Sequence, residues 1–259
     1  MIRPARWFIS ANLALSRSFE RLLPKSYQID GYRYFTDTIV PTLLRSGERV
    51  VDCGGGKKPL VSLEEKRRLQ LTYIGVDIDG SELAKAPADA YDAVCVSDIT
   101  RSSHALDADL VICRAVMEHV RSAEGAMRGL AAMLKPGGTV AVFLPSRRAC
   151  FSVLNLLLPE SAKRRLLFWI YPHMAYCQGF QAYYDRATIP EYRQICAEAG
   201  LQVRQTYAFY CSTYFQFFFP LHLVWRGWIL VARALFGEGA AETFVVIAQR
   251  LEAPAFINK

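Results

Sequence analysis

At 259 residues the chain is long enough to bury a full core, and 52% apolar against 21% charged residues excludes a disordered or fibrous protein. Seven scattered cysteines with no CxxC pair exclude a disulfide frame, leave no expected zinc or other metal site, and fit a reducing cytoplasm. The net charge of +7, from 31 basic and 24 acidic residues, suits nucleic acid or an anionic membrane surface.

Residues 4–24 place Phe8, Ala11, Leu15, Phe19 and Leu22 at helical spacing, with Arg6, Arg17 and Arg21 opposite. This is a basic amphipathic helix rather than a secretory signal, because its apolar stretch is short and no small-residue cleavage site follows. It packs on its own domain, lies on a membrane or caps the substrate. Residues 32–46 read as a second helix leading into the first strand.

From Glu48, strand and helix alternate. Strands are predicted at 49–53, 71–78, 91–99, 108–116 and 139–145, with helices at 60–70 and 122–135, the second stopped by Pro136-Gly137-Gly138. Continuous apolar strands separated by helices imply a parallel sheet covered on both faces, a doubly wound α/β domain. After an interruption, helix 189–200 and strand 201–210 resume the pattern, and a last strand follows at 243–250.

The two interruptions, 146–187 and 211–242, are aromatic and edged by arginine. Residues 205–225 carry no formal charge, which raises the question of a membrane span. Pro220 and His222 interrupt them, however, and one crossing would strand Val245–Ala248 on the wrong side of the bilayer. Two helices bent at Pro220, lying in the interface or over a substrate, are expected instead. The basic residues flank these aromatic segments (Arg147, Arg148; Lys163–Arg165; Arg226, Arg233), an arrangement that fits lipid headgroups better than a nucleic-acid groove.

VVDCGGGKKPL, residues 50–60, is a glycine loop straight after the first strand. Gly54 and Gly56 supply two positions of the dinucleotide fingerprint, but Pro59 occupies the third and Asp52 precedes the glycines, which argues against a pyrophosphate. Asp77, twenty-five residues beyond Asp52, closes the second strand where a carboxylate can take ribose hydroxyls. Asp98-Ile99 closes the third, an acid and an apolar face for an adenine.

The set VVDCGGG, YIGVDID, VSDI, ADLVICRAVMEHV and LKPGGTVAVFLP resembles the class I S-adenosylmethionine-dependent methyltransferases of the small-molecule branch. The resemblance covers residues 48–145 and the last two strands by topology, leaving 1–45 and both insertions outside. It implies a seven-stranded, mostly parallel sheet with the last strand antiparallel, and S-adenosylmethionine as cofactor. It also implies that Gly54 and Gly56 face the methionine part with Asp52 near its ammonium group. Asp77, followed by Ile78, takes the ribose, Asp98 and Ile99 hold the adenine, and Arg114 lies beside the cofactor. Lys58 stands where the family often has a third glycine.

The domain boundaries expected are 1–47 for N-terminal amphipathic helices, 48–250 for the methyltransferase domain and 251–259 for a tail. The insertion at 146–187 forms a cap, and that at 211–242 forms cap or membrane-associated helices.

Methyl transfer from a sulfonium asks mainly for alignment and exclusion of water, and for a base when the acceptor is a hydroxyl. Candidate bases are His119 and His173, then Tyr171, Tyr176, Tyr183 and Tyr184; Tyr183 and Tyr184 are also candidates to line the acceptor pocket. The insertions and the amphipathic amino terminus point to a hydrophobic or lipid-linked acceptor, O-methylated by a protein peripheral or monotopic on the cytoplasmic face of the cell membrane. Nucleic acid is not expected. Three readings compete: a soluble small-molecule enzyme whose cap forms a homo-oligomer, a non-catalytic membrane scaffold, and a nicotinamide oxidoreductase.

Overall fold

The computed structural model describes residues 3–101, 104–157, 180–213 and 215–251. Seven strands, β1 (Arg49–Cys53), β2 (Thr72–Asp77), β3 (Ala93–Val96), β4 (Ala108–Arg114), β5 (Leu134–Pro145), β6 (Leu201–Phe209) and β7 (Thr243–Arg250), form one sheet. Their order is β3-β2-β1-β4-β5-β7-β6, parallel except for β7, which runs antiparallel to β5 and β6. The order reverses between β1 and β4, so the carboxyl ends of these strands border the crevice where open α/β sheets take ligands.

The central strands are apolar throughout because both faces are covered. Val111, Cys113, Val140, Val142, Phe244 and Val246 pack on one face beneath helices Ala123–Met133 and Ile189–Glu198. Leu110, Ile112, Ala141, Phe143, Val245 and Ile247 alternate onto the other. That second face is closed largely by the segment before β1: a helix at Gly31–Tyr34, a π-helical turn at Phe35–Ile39 and a further turn at Val40–Leu43. Phe35, Ile39 and Val40 are the buried side of this run, and Asp30 caps it by accepting from the amides of Tyr32 (2.9 Å) and Arg33 (3.3 Å).

Three expectations are corrected. The third strand ends at Val96, not at residue 99, because Asp98 Oδ1 accepts from both the amide (2.9 Å) and the hydroxyl (2.7 Å) of Thr100 and closes a turn instead. Pro136-Gly137-Gly138 does not separate helix from strand: β5 starts at Leu134, and the triplet sits where the β4–β5 register shifts between Ala108 and Leu110. Pro220 does not bend a helical pair. It opens one helix, Phe219–Phe236, in the first turn, where its missing N–H costs nothing.

Two peripheral helices complete the description, α1 (Arg3–Glu20) and α2 (Phe219–Phe236), and they run side by side. No helix among the described residues is long and apolar enough to cross a membrane.

Candidate active site

The glycine loop and the carboxyl ends of β1, β2 and β4 enclose a cleft of about 240 Å³. Its walls include Asp52, Gly54–Gly56, Lys57, Lys58, Asp77, Arg114, Tyr32 and Phe180. Among the residues expected from sequence, Asp52, Gly54, Gly56, Asp77 and Arg114 meet here.

Asp52 is fully buried. Its Oδ2 accepts from the Tyr73 hydroxyl (2.5 Å) and the Leu60 amide (2.9 Å), while its buried Oδ1 has no partner among the described residues. Burial pushes its pKa up to about 6, against the pull of Tyr73, Leu60 and Arg114. The loop depends on its glycines. Gly54 has φ +74°, and a Cβ there would collide with Val116; a Cβ on Gly55 would collide with Asp52 and with the Tyr91 hydroxyl.

Asp77 ends β2 with Oδ1 accepting from the Asp79 amide (3.0 Å), and burial raises its pKa. Arg114 ends β4, its guanidinium 4.4 Å over the Tyr32 ring and donating to Thr36 Oγ1 at 2.8 Å. Thr36 lies in the π-helical turn and holds Arg114, and Tyr32 of the preceding helix lines the cleft, so the segment covering the second sheet face also borders the site. Across the lower rim, Lys57 pairs with Glu82 at 2.9 Å.

The cleft walls do not include Ile78, Asp98 or Ile99. Ile78 is exposed at the end of β2, whereas Ile99 is buried in the core. Thr100 holds the Asp98 carboxyl below its usual range, and that carboxyl lies in the turn beyond β3.

His119 ends a short 3₁₀ turn, Met117–His119, beyond β4. Its Nδ1 is 3.1 Å from the Gln181 carbonyl and its ring is 6.2 Å from that of Phe180, the residue that returns the first insertion to the cleft wall. Burial lowers its pKa, so the imidazole is neutral at neutral pH. Tyr183 bonds Arg121 (3.1 Å) and Gln181 (3.1 Å). Tyr184 is buried, its hydroxyl accepting from Asn155 at 3.3 Å, and it belongs to the core rather than to the cleft wall. His173, Tyr171 and Tyr176 lie outside the described residues.

Sequence reasoning passed over Tyr32, Tyr73, Tyr91 and Phe180. Tyr73 had a signal. The parallel register pairs Val50 with Tyr73 and Asp52 with Gly75, so Tyr73 shares the sheet face of Asp52 on the neighbouring strand.

A family model described as a methyltransferase domain matches residues 26–206, more than half of the chain. The chain belongs to that methyltransferase family. It is a class I S-adenosylmethionine-dependent methyltransferase, an enzyme. The match begins at Ser26, so this methyltransferase domain takes in the helical run before β1 and the first insertion, both outside the resemblance drawn from motifs. Several solved structures share the fold. An S-adenosylmethionine-dependent methyltransferase from Mesorhizobium loti is 13% identical with TM-score 0.54, over 85% of this chain and 98% of that one. One from Methanosarcina mazei is 18% identical with TM-score 0.51, over 83% and 98%. Magnesium protoporphyrin IX methyltransferase from Synechocystis, solved with bound SAH, is 17% identical with TM-score 0.51, over 85% and 83%.

The residues present fit S-adenosylmethionine, the cofactor of this methyltransferase. A buried carboxylate oxygen without a partner among the described residues suits an ammonium group, glycines let the loop pack tightly against Asp52 and Val116, and Arg114 offers a cation in the same wall.

Proposed function

We propose that this methyltransferase methylates an oxygen of a hydrophobic or lipid-linked small molecule at the cytoplasmic face of the membrane. When bound, S-adenosylmethionine supplies an electrophilic methyl group on sulfur. In this reading Asp52 faces its ammonium group, Arg114 balances its carboxylate and Asp77 takes the ribose hydroxyls. Asp98, in the turn beyond β3, is the acid nearest the adenine end in this reading.

The observation that supports an oxygen acceptor is His119. With Nδ1 directed at the Gln181 carbonyl, that nitrogen carries the hydrogen and Nε2 keeps its lone pair. A neutral imidazole beside Phe180 of the cleft wall can take the acceptor's hydroxyl proton as the oxygen attacks. A hydrophobic acceptor is favoured by the aromatic walls, Tyr32 and Phe180. Tyr32 lies only ten residues beyond Leu22, an exposed apolar side chain just past α1.

The test offers labelled S-adenosylmethionine with membrane-lipid and water-soluble extracts of cells lacking the gene, followed by mass spectrometry for a gained methyl. Label is expected in the lipid extract. His119→Gln is expected to lower kcat by about 10²–10⁴ with cofactor affinity unchanged. Label confined to the soluble extract removes the acceptor class, and a wild-type rate in His119→Gln removes the base.

A further inference from the structure

The helices α1 and α2 carry polar groups on their inward side, beside Phe19, Ile229 and Ala232. In α2 the polar side chains His222, Arg226 and Arg233 all turn inward, and His222 and Arg226 are buried. Glu20 Oε1 of α1 lies 2.8 Å from His222 Nε2 and 2.8 Å from Arg226 Nε, although the Nε–H is not aimed along that line. The two Nη groups of Arg226 donate to the carbonyls of Tyr210 and, at 2.9 Å, Tyr27. Arg233 stacks 4.8 Å over the Tyr27 ring and 4.5 Å over the Tyr210 ring. Nearer its start, α1 offers Asn12, whose Oδ1 accepts from the Phe219 amide at 2.8 Å, and Ser16, whose hydroxyl donates to the Gln216 carbonyl at 3.0 Å.

The outward side is the reverse. Leu221, Val224, Trp228, Val231 and Leu235 form an exposed stripe along α2, with Val224 at 69%. Trp7, Phe8 and Leu15 of α1 and Leu22 just beyond it join them, Trp7 at 74% and Leu22 at 81%. A soluble surface helix puts its polar residues outward and its apolar stripe on the core. An exposed apolar stripe of this kind marks a contact surface.

Charge selects the occupant. Arg17, Arg21 and Lys25 are exposed on the same amino-terminal segment, and a second copy laid on this face would oppose like charges. An anionic lipid surface accepts both the apolar stripe and the basic margin. Since α2 has 18 residues and no described helix can span a bilayer, the pair fits the plane of the headgroup–acyl boundary.

We propose that α1 and α2 together form the surface by which this protein embeds in an anionic lipid bilayer; the choice of a membrane as partner rests on the functional reading above. The full chain is mixed with phosphatidylcholine vesicles with and without phosphatidylglycerol and floated on a density gradient at low and high salt. Wild type is expected to float with the anionic vesicles and to lose most of that binding at high salt. The double variant Val224→Glu, Val231→Glu is expected to partition at least about tenfold less, with Tm and S-adenosylmethionine affinity unchanged, while Val224→Ile, Val231→Ile floats like wild type. Wild type left in the soluble fraction, or the glutamate variant floating like wild type, overturns the proposal. So does a lipid-free dimer that the glutamate variant dissociates, since a second copy then covers the face. Flotation without label in the lipid extract sinks the acceptor reading and leaves this surface standing; label without flotation does the opposite.

Discussion

Asp52 shows how one residue is prepared for a ligand. Folding removes water from the carboxylate, satisfies Oδ2 twice through Tyr73 and Leu60, and leaves the buried Oδ1 without a partner among the described residues. Burial is why its pKa rises to about 6. A bound ammonium group favours the ionised form, so cofactor affinity is expected to fall as pH drops through about 6 and the carboxyl takes up a proton. Calorimetric titration from pH 7.5 to 5 checks this: wild type should lose affinity towards the acid end, approaching about tenfold per pH unit. Asp52→Asn should bind more weakly at pH 7.5 and without that component of the slope. A slope of equal size in Asp52→Asn assigns the titration to another group.

Among the elements, α2 departs furthest from what hydropathy alone suggests. Its apolar length invites a membrane span, yet it is a single helix begun at Pro220 and held down by the charges it contains. Those polar groups make it part of the fold: Glu20 pairs with Arg226 and lies 2.8 Å from His222 Nε2, and Arg226 also ties down the carbonyls of Tyr210 and Tyr27. Removing one partner leaves buried charge uncompensated, which costs about 3–5 kcal/mol. Glu20→Ala is therefore expected to lower Tm by on the order of 10 °C in thermal denaturation, whereas the exposed Arg17→Ala should change it by a degree or two. Equal, small effects of the two substitutions contradict a structural ion cluster.

At the scale of the molecule, three buried carboxylates carry a pH dependence. Burial pushes Asp52 up to about 6 and Glu118 and Glu242 up to about 7, so the folded state binds protons that the unfolded chain releases. The sign follows: this stability is fully present below the unfolded values near 4 and is lost as pH rises through about 6–7. Glu118 is the cleanest case, because its Oε2 and the nearby Tyr192 hydroxyl both lack partners among the described residues. Glu118→Gln is expected to raise Tm at pH 8, by about 2–4 °C per kcal/mol recovered, with the gain shrinking towards pH 5. A difference in Tm that does not vary between these pH values shows that Glu118 does not titrate there.

The strands and the crossovers between them were legible because apolar runs and their punctuation are local: β1 and β7 fall where continuous apolar runs place them, and the glycine loop follows β1 at once. The acids at the carboxyl ends of β1 and β2 were legible for the same reason. Tyr32 and Phe180, which line the cleft, and Thr36, which holds Arg114, were not, since each comes from a segment whose own pattern says nothing about the site. The amino acids by themselves determined a doubly wound sheet, its cofactor loop and the inventory of basic and aromatic segments, because these depend on neighbours in the chain. Only the tertiary structure decided that Glu20 meets Arg226 across 206 residues, and therefore that the polar sides of α1 and α2 face each other and their apolar sides face outward. No periodicity within one helix contains the position of its partner, so a contact across that distance is decided only when the chain folds.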